Sequence, residues 1–187
     1  AGTEPTTGAT YKAQVGGAWK GPNAAENHPF GFIGTALTNA AGDKVCLNMK
    51  NNATYTITAT ITHVNNIFVA GYSGTVRDGG KAIIDGGTSG ASYNLINFGT
   101  GGVVDVLQDI IFQNNGATGS ASGVQTSGNR DHHLIRCVVN NVRGNGFDQA
   151  AQTCGAIYQQ CEAYQCNQSN TAGKGGFAMV VACTFVG

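Results

Sequence analysis

The stretch Arg136–Phe147, "RCVVNNVRGNGF", starts as a strand, breaks at Asn140 and Asn141, and ends on a glycine before an aromatic. Upstream "DIIFQNNGATGSASGV" (109–124) and downstream "QCEAYQCNQSNTAGKGGF" (160–177) follow the same order, and "ACTFVG" (182–187) begins it again. The strand-like pieces are Ile110-Ile111-Phe112, Cys137-Val138-Val139, Cys161-Glu162-Ala163 and Cys183-Thr184-Phe185, so the unit recurs at a nearly even interval that shortens slightly along the chain. Each is followed within a few positions by Asn or Gln. In the first three units come a glycine–apolar pair (Gly123-Val124, Gly146-Phe147, Gly176-Phe177) and a second short apolar run (Leu134-Ile135, Ala156-Ile157-Tyr158, Val180-Val181). Repeats of this length mark stacked architectures, in which one unit cannot bury its own core.

Within each unit the apolar pattern has period 2, as in a half-buried strand. Residues 110 and 112, 137 and 139, 161 and 163, and 183 and 185 are expected on the inward face. No helical period interrupts residues 100 to 187, so successive strands must lie parallel by winding around. The repeating unit reads as one coil of a right-handed parallel β-helix, an all-β fold. The register extends backwards through "KVCLNM" (44–49), "NIFVAG" (66–71), "KAIIDGG" (81–87) and "YNLINFG" (93–99), with Cys46 and Phe68 one coil apart. Residues 31–45 carry Phe32, Ile33, Ala36, Leu37 and Ala40 on one helical face and stop at Gly42, which predicts a short capping helix. The expected organisation is an N-terminal extension, 1–30, and a β-helix, 31–187.

Bulk composition agrees. Charged residues are 11% of the chain, well under the roughly 25% usual for soluble domains, and 29 glycines with 18 asparagines suit many tight turns. Net charge is zero with no basic run, which argues against a nucleic-acid partner. No apolar run approaches the roughly 18 residues of a membrane-spanning helix. The first residues, "AGTEPTTGAT", lack the features of a secretion signal, so an extracellular chain would have lost one or left the cell by another route.

"TALTNAAGDKVCLNMKNNATYTITATIT" (35–62) resembles the opening of right-handed β-helix proteins of the pectate-lyase-like superfamily, and "VAGYSGTVRDGGKAIIDGG" (69–87) resembles their second coil. The resemblance covers about 33 to 187 and implies the fold. Enzymes of that superfamily carry carboxylate clusters on one face: hydrolases with paired Asp, "GHG" and "RIK" strings, lyases with calcium-binding carboxylates and an Arg or Lys base. Those strings are missing here. Asp105 and Asp109 are the only acidic residues within four positions of each other, expected as a solvated strand edge, too few for the six to eight oxygens calcium takes. The gaps in "CGAIYQQCEAYQC" (154–166) fit no zinc pattern. No metal and no cofactor is expected.

The best candidate site is "NRDHHLIRC" (129–137). If Cys137 and Ile135 face inward, then Leu134, Arg136, His132 and Arg130 face out together. Arg130, His132 and Arg136 would then form a strip able to hold an anionic sugar or phosphate, His132 being suited to proton transfer. The competing reading is a polar turn whose arginines bond backbone carbonyls. As an outward strand residue, Arg136 is expected to tolerate replacement by Ala at a cost within about 0.5 kcal/mol. Phe147, Phe177, Tyr158 and Tyr164 are candidate external sugar platforms, while Phe112 and Phe185 are expected in the core. Cys137, Cys161 and Cys183 are expected as a buried ladder of thiols, with Cys154 and Cys166 the pair to join if any disulfide forms.

These features predict a non-catalytic extracellular structural or adhesion module, a bacteriophage virion component (decoration, fibre or spike type) or a bacterial surface protein. A polysaccharide lyase or hydrolase, or a carbohydrate-binding module, are the alternatives. Partners would be other copies or a larger assembly covering the C-terminal coil, and cell-surface polysaccharide, with no nucleic acid and no membrane.

Overall fold

A computed structural model describes residues 46–51, 54–63, 68–98, 105–126, 131–149, 155–169, 177–178 and 183–186. The expected extension and the capping helix lie outside them. Sixteen short strands are described: β1 (Cys46–Lys50), β2 (Thr54–Thr56), β3 (Ile61–His63), β4 (Phe68–Tyr72), β5 (Ala82–Asp85), β6 (Ile96–Phe98), β7 (Asp105–Gln108), β8 (Ile110–Gln113), β9 (Val124–Thr126), β10 (Asp131–Ile135), β11 (Val138–Asn140), β12 (Phe147–Gln149), β13 (Gly155–Gln159), β14 (Glu162–Tyr164), β15 (Phe177–Ala178) and β16 (Cys183–Val186).

Each of β1 to β13 pairs in parallel with the strand three places on, giving three sheets of order β1-β4-β7-β10-β13-β16, β2-β5-β8-β11-β14 and β3-β6-β9-β12-β15. The fold is therefore a parallel β-solenoid with three strands per turn. We refer to the sheets as A, B and C in that order. The repeat read from the sequence is these three columns: the first three strand-like pieces fall in sheet B, the apolar residues of the glycine–apolar pairs in sheet C, and the runs Leu134-Ile135 and Ala156-Ile157-Tyr158 in sheet A. Cys46 pairs with Phe68, one turn apart as expected.

The fourth unit departs from the pattern. Cys183 pairs with Ala156 of β13 and so belongs to sheet A, not to the column of Cys137 and Cys161. The turn from Ala156 to Cys183 is longer than the preceding one, from His132 to Ala156. Extra loop length therefore moves the next strand by one sheet relative to the simple spacing.

Corners between sheets explain why Asn and Gln recur. Between A and B the chain turns on one left-handed residue per coil, Asp109 (φ 55°), Arg136 (φ 49°) and Gln160 (φ 51°). After sheet B it turns on Asn114 (φ 52°), Asn141 (φ 53°) and Gln165 (φ 48°). Asn is among the few non-glycine residues that tolerate this conformation. Asn141 Nδ2 donates to Asn114 Oδ1 at 2.7 Å, and Asn114 Nδ2 donates to Asp85 Oδ2 at 3.0 Å, so the second corner is tied along the solenoid axis.

The core is the solenoid interior. Ile84, Phe112 and Val139 stack in sheet B; Leu107, Leu134 and Tyr158 stack in sheet A; Val124 and Phe147 stack in sheet C, all at most 1% exposed. Phe147 and Tyr158 meet edge to face at 5.4 Å, so neither is the external platform expected of it. Tyr164, at 51% exposed, does lie outside. The side chains of Phe177 and Phe185 fall outside the described residues.

Gly71, in β4, packs where the chain crosses the first corner of the next turn. A Cβ there would collide with the Asp109 carbonyl and stand 2.6 Å from the Ala82 amide nitrogen. Both are backbone atoms that cannot swing away. Gly71→Ala is expected to destabilise the protein by about 2–3 kcal/mol, as overpacking does. A thermal melt unchanged from the parent would contradict this packing.

Candidate functional site

His132 does not take the outward place expected of it in the strip along 129–136. His132 and Leu134 of β10 are fully buried, while His133 and Ile135 are half-buried on the outer side. The alternation had been carried back from Cys137 through Arg136. Arg136 is the left-handed corner residue, and a single such residue resets which side of the strand faces in. The same reset occurs at Asp109, where Asp105 and Leu107 point inward before the corner and Ile110 and Phe112 after it. Arg130 lies outside the described residues.

Arg136 is held at the corner by a carboxylate one turn below. Its Nε donates to Asp109 Oδ1 at 2.7 Å and its Nη2 donates to Oδ2 at 2.6 Å, a bidentate pair. Gln108 Nε2 donates to Asp109 Oδ2 at 2.9 Å, and Lys81 Nζ lies 3.9 Å from Oδ1. Asp109 is completely covered, so it is not the solvated strand edge expected. Burial opposes its ionisation, but the hydrogen bonds from Arg136 and Gln108 and the charges of Arg136 and Lys81 outweigh it, and its carboxyl titrates below the usual range. The polar-turn reading holds for Arg136, with a side-chain carboxylate as acceptor in place of backbone carbonyls.

His132 sits inside the solenoid. Its Nδ1 is 3.7 Å from Asp105 Oδ2, one turn below in the register of β7 and β10, and its ring lies 4.6 Å from that of Phe98. Thr126 and Gln149, paired across β9 and β12, are also buried, so polar residues line the interior near the ends of sheet C and the start of sheet A. The sequence did hold a signal for both pairs. Asp105 precedes His132, and Asp109 precedes Arg136, by the same interval that separates Ile110 from Cys137. Ionisable residues one repeat apart stack in a solenoid.

Asp78, Asp85 and Asp148 also tie the chain to itself. Asp78, fully exposed in the loop after β4, accepts from the Ser73 hydroxyl at 2.7 Å and from the amides of Ser73, Gly74, Thr75 and Gly80 at 2.6–2.9 Å. The Ser73 hydroxyl and then these amides hold its pKa far below the usual range. Asp85 accepts from Gln113 Nε2 at 2.7 Å and from the Gly87 amide at 2.7 Å. Asp148 accepts from the Ser122 hydroxyl at 2.7 Å. The loop between β8 and β9 is organised by buried Asn115, which donates to the Ala121 carbonyl at 2.8 Å and accepts from the Arg143 amide at 2.8 Å.

Cys137, Cys161 and Cys166 are free thiols. Cys137 is fully buried and Cys161 half-buried in the same column, while Cys154 lies outside the described residues. Burial pushes the Cys137 thiol well up, and Cys166 is pushed up to about 11 by burial. The Cys137 thiol beside it draws Cys161 down. Cys137 is expected to resist alkylation in the native state and to label only on unfolding. Mass spectrometry of iodoacetamide-treated native and denatured protein checks this, and rapid native labelling of Cys137 would contradict it.

A comparison with known protein families, curated proteins and solved structures finds no match to this chain.

Proposed function

We propose that this chain is a non-catalytic extracellular structural or adhesion module: a bacteriophage virion component of decoration, fibre or spike type, or a bacterial surface protein, built on a pectate-lyase-like solenoid. One observation carries the reading. Asp78, Asp85, Asp109 and Asp148 each engage turns and corners of their own chain, Asp109 being bound by Arg136, one of the three residues expected to hold an anion. General acid–base work needs a carboxyl or imidazole within reach of a substrate proton, and these groups are engaged with the scaffold. A stack of parallel coils presents side chains at regular spacing, which suits assembly with other copies or with a larger particle and contact with cell-surface polysaccharide.

The test is incubation of the protein with pectate, alginate and capsular polysaccharides, following unsaturated product and reducing ends. No turnover is expected. Release of either product would overturn the proposal in favour of a lyase or hydrolase. Retention on a polysaccharide column without turnover would narrow it to a carbohydrate-binding module.

A further inference from the structure

We propose that Cys137 and Cys161 form a two-coordinate site for a soft, thiophilic monovalent cation of the Cu(I) type. Glu162 pairs with Val138 across β11 and β14, which sets Cys161 directly over Cys137 on the next turn. The two thiols have equivalent surroundings. Cys137 Sγ donates towards the carbonyls of Leu107 at 3.5 Å and Ile135 at 3.6 Å, and Cys161 Sγ towards those of Leu134 at 3.2 Å and Gln159 at 3.5 Å. Leu134 is the register partner of Leu107, and Gln159 that of Ile135. Each thiol thus faces the equivalent pair of carbonyls one turn apart, and strands one turn apart are spaced about 4.8 Å. A linear sulfur–metal–sulfur unit places its two sulfurs two metal–thiolate bonds apart, a span of the same order as that strand spacing. A disulfide suits the pair poorly, because in-register neighbours hold their Cβ atoms farther apart than the roughly 3.8 Å typical of the bond.

Ligand number selects the metal class. Among the described residues no group of three or more His, Cys, Asp or Glu side chains converges, so four-coordinate zinc and oxygen-rich calcium have no cage beside these thiols. Soft thiolates alone favour Cu(I). Binding replaces two S–H protons, which leave to solvent, by one monovalent cation, so the bis-thiolate complex carries one negative charge. The adjoining corner supplies the opposite charge. Arg136 and Lys81 surround the single carboxylate of Asp109, an excess of one positive charge, with Arg136 in electrostatic reach of Cys137 and Lys81 of Cys161. Half-buried Cys161 gives the ion an approach from outside while Cys137 holds it from within.

The full chain, reduced and kept anaerobic, is titrated with Cu(I) buffered by bicinchoninate. The parent is expected to withdraw one equivalent more than Cys137→Ser, Cys161→Ser or the double variant, Cys166→Ser to withdraw as much as the parent, and Lys81→Gln to bind more weakly with both thiols present. X-ray absorption of the loaded parent should show two sulfur neighbours. Equal withdrawal by the parent and the double variant would overturn the site. Because a serine variant can fail to fold, the parent alone provides a second readout: one equivalent of Cu(I) should protect Cys161 from native-state alkylation. Alkylation of Cys161 at the same rate with and without Cu(I) would likewise overturn it.

Discussion

Phe112→Ala is expected to lower the unfolding free energy by about 3–5 kcal/mol, as emptying an aromatic core position does. Phe112 is fully buried between Ile84 on the turn before and Val139 on the turn after. In a solenoid each coil covers the next, so a void at Phe112 removes contacts from three coils at once. Its neighbour Ile111 points outward and is half-buried. Ile111→Ala should cost under about 1 kcal/mol by lost burial alone. Denaturant unfolding of the two variants reads the register of sheet B, and the reverse order of effects would place every side chain of that strand on the wrong face.

Arg136→Ala is expected to destabilise by about 3 kcal/mol, the lower end for removing one partner of a buried ion pair, since the Arg136 side chain is itself 36% exposed. The damage comes chiefly from the partner left behind. Asp109 would stay covered with Gln108 and a distant Lys81 ammonium as its remaining side-chain contacts. This reverses the sequence reading, in which Arg136 was a replaceable surface residue. The pH dependence follows from the same pair. The folded carboxyl titrates below its unfolded value, so its contribution is fully present above about pH 4 and is lost as pH falls through the folded pKa. Arg136→Ala should therefore flatten the acid limb of stability against pH, because burial then acts on Asp109 without the guanidinium. Parallel acid limbs for parent and variant would show that the pair contributes nothing.

Much of the fold could be read before any coordinates, because a stacked coil must repeat its inward residues. Ile110, Phe112, Cys137 and Val139 lie inward as their alternation implied, and Cys46 sits one turn from Phe68. What period-2 patterning cannot see is a corner made by one residue. Arg136 and Asp109 look like ordinary strand positions until their positive φ is known, and counting through Arg136 turned His132 and Leu134 inside out. Loop length caused the other error. The turn from Phe68 to Val106, which carries the Asp78 loop, is more than half as long again as the turn from Cys46 to Phe68. A repeat that varies this much conceals which sheet a strand joins, as at Cys183. The candidate site was legible only as a polar cluster. Its partners stood one repeat away, and a search along the chain for nearby residues passes over them.

A double-mutant cycle between Asp109 and Arg136 tests most directly whether Arg136 is committed to the scaffold. Asp109→Asn, Arg136→Met and the double variant are compared with the parent by urea unfolding. The ion pair predicts a coupling of about 2 kcal/mol, with the double variant far less unstable than the two single losses added together. Additive losses, to within about 0.5 kcal/mol, would show that Arg136 is not committed to Asp109 and would contradict the account.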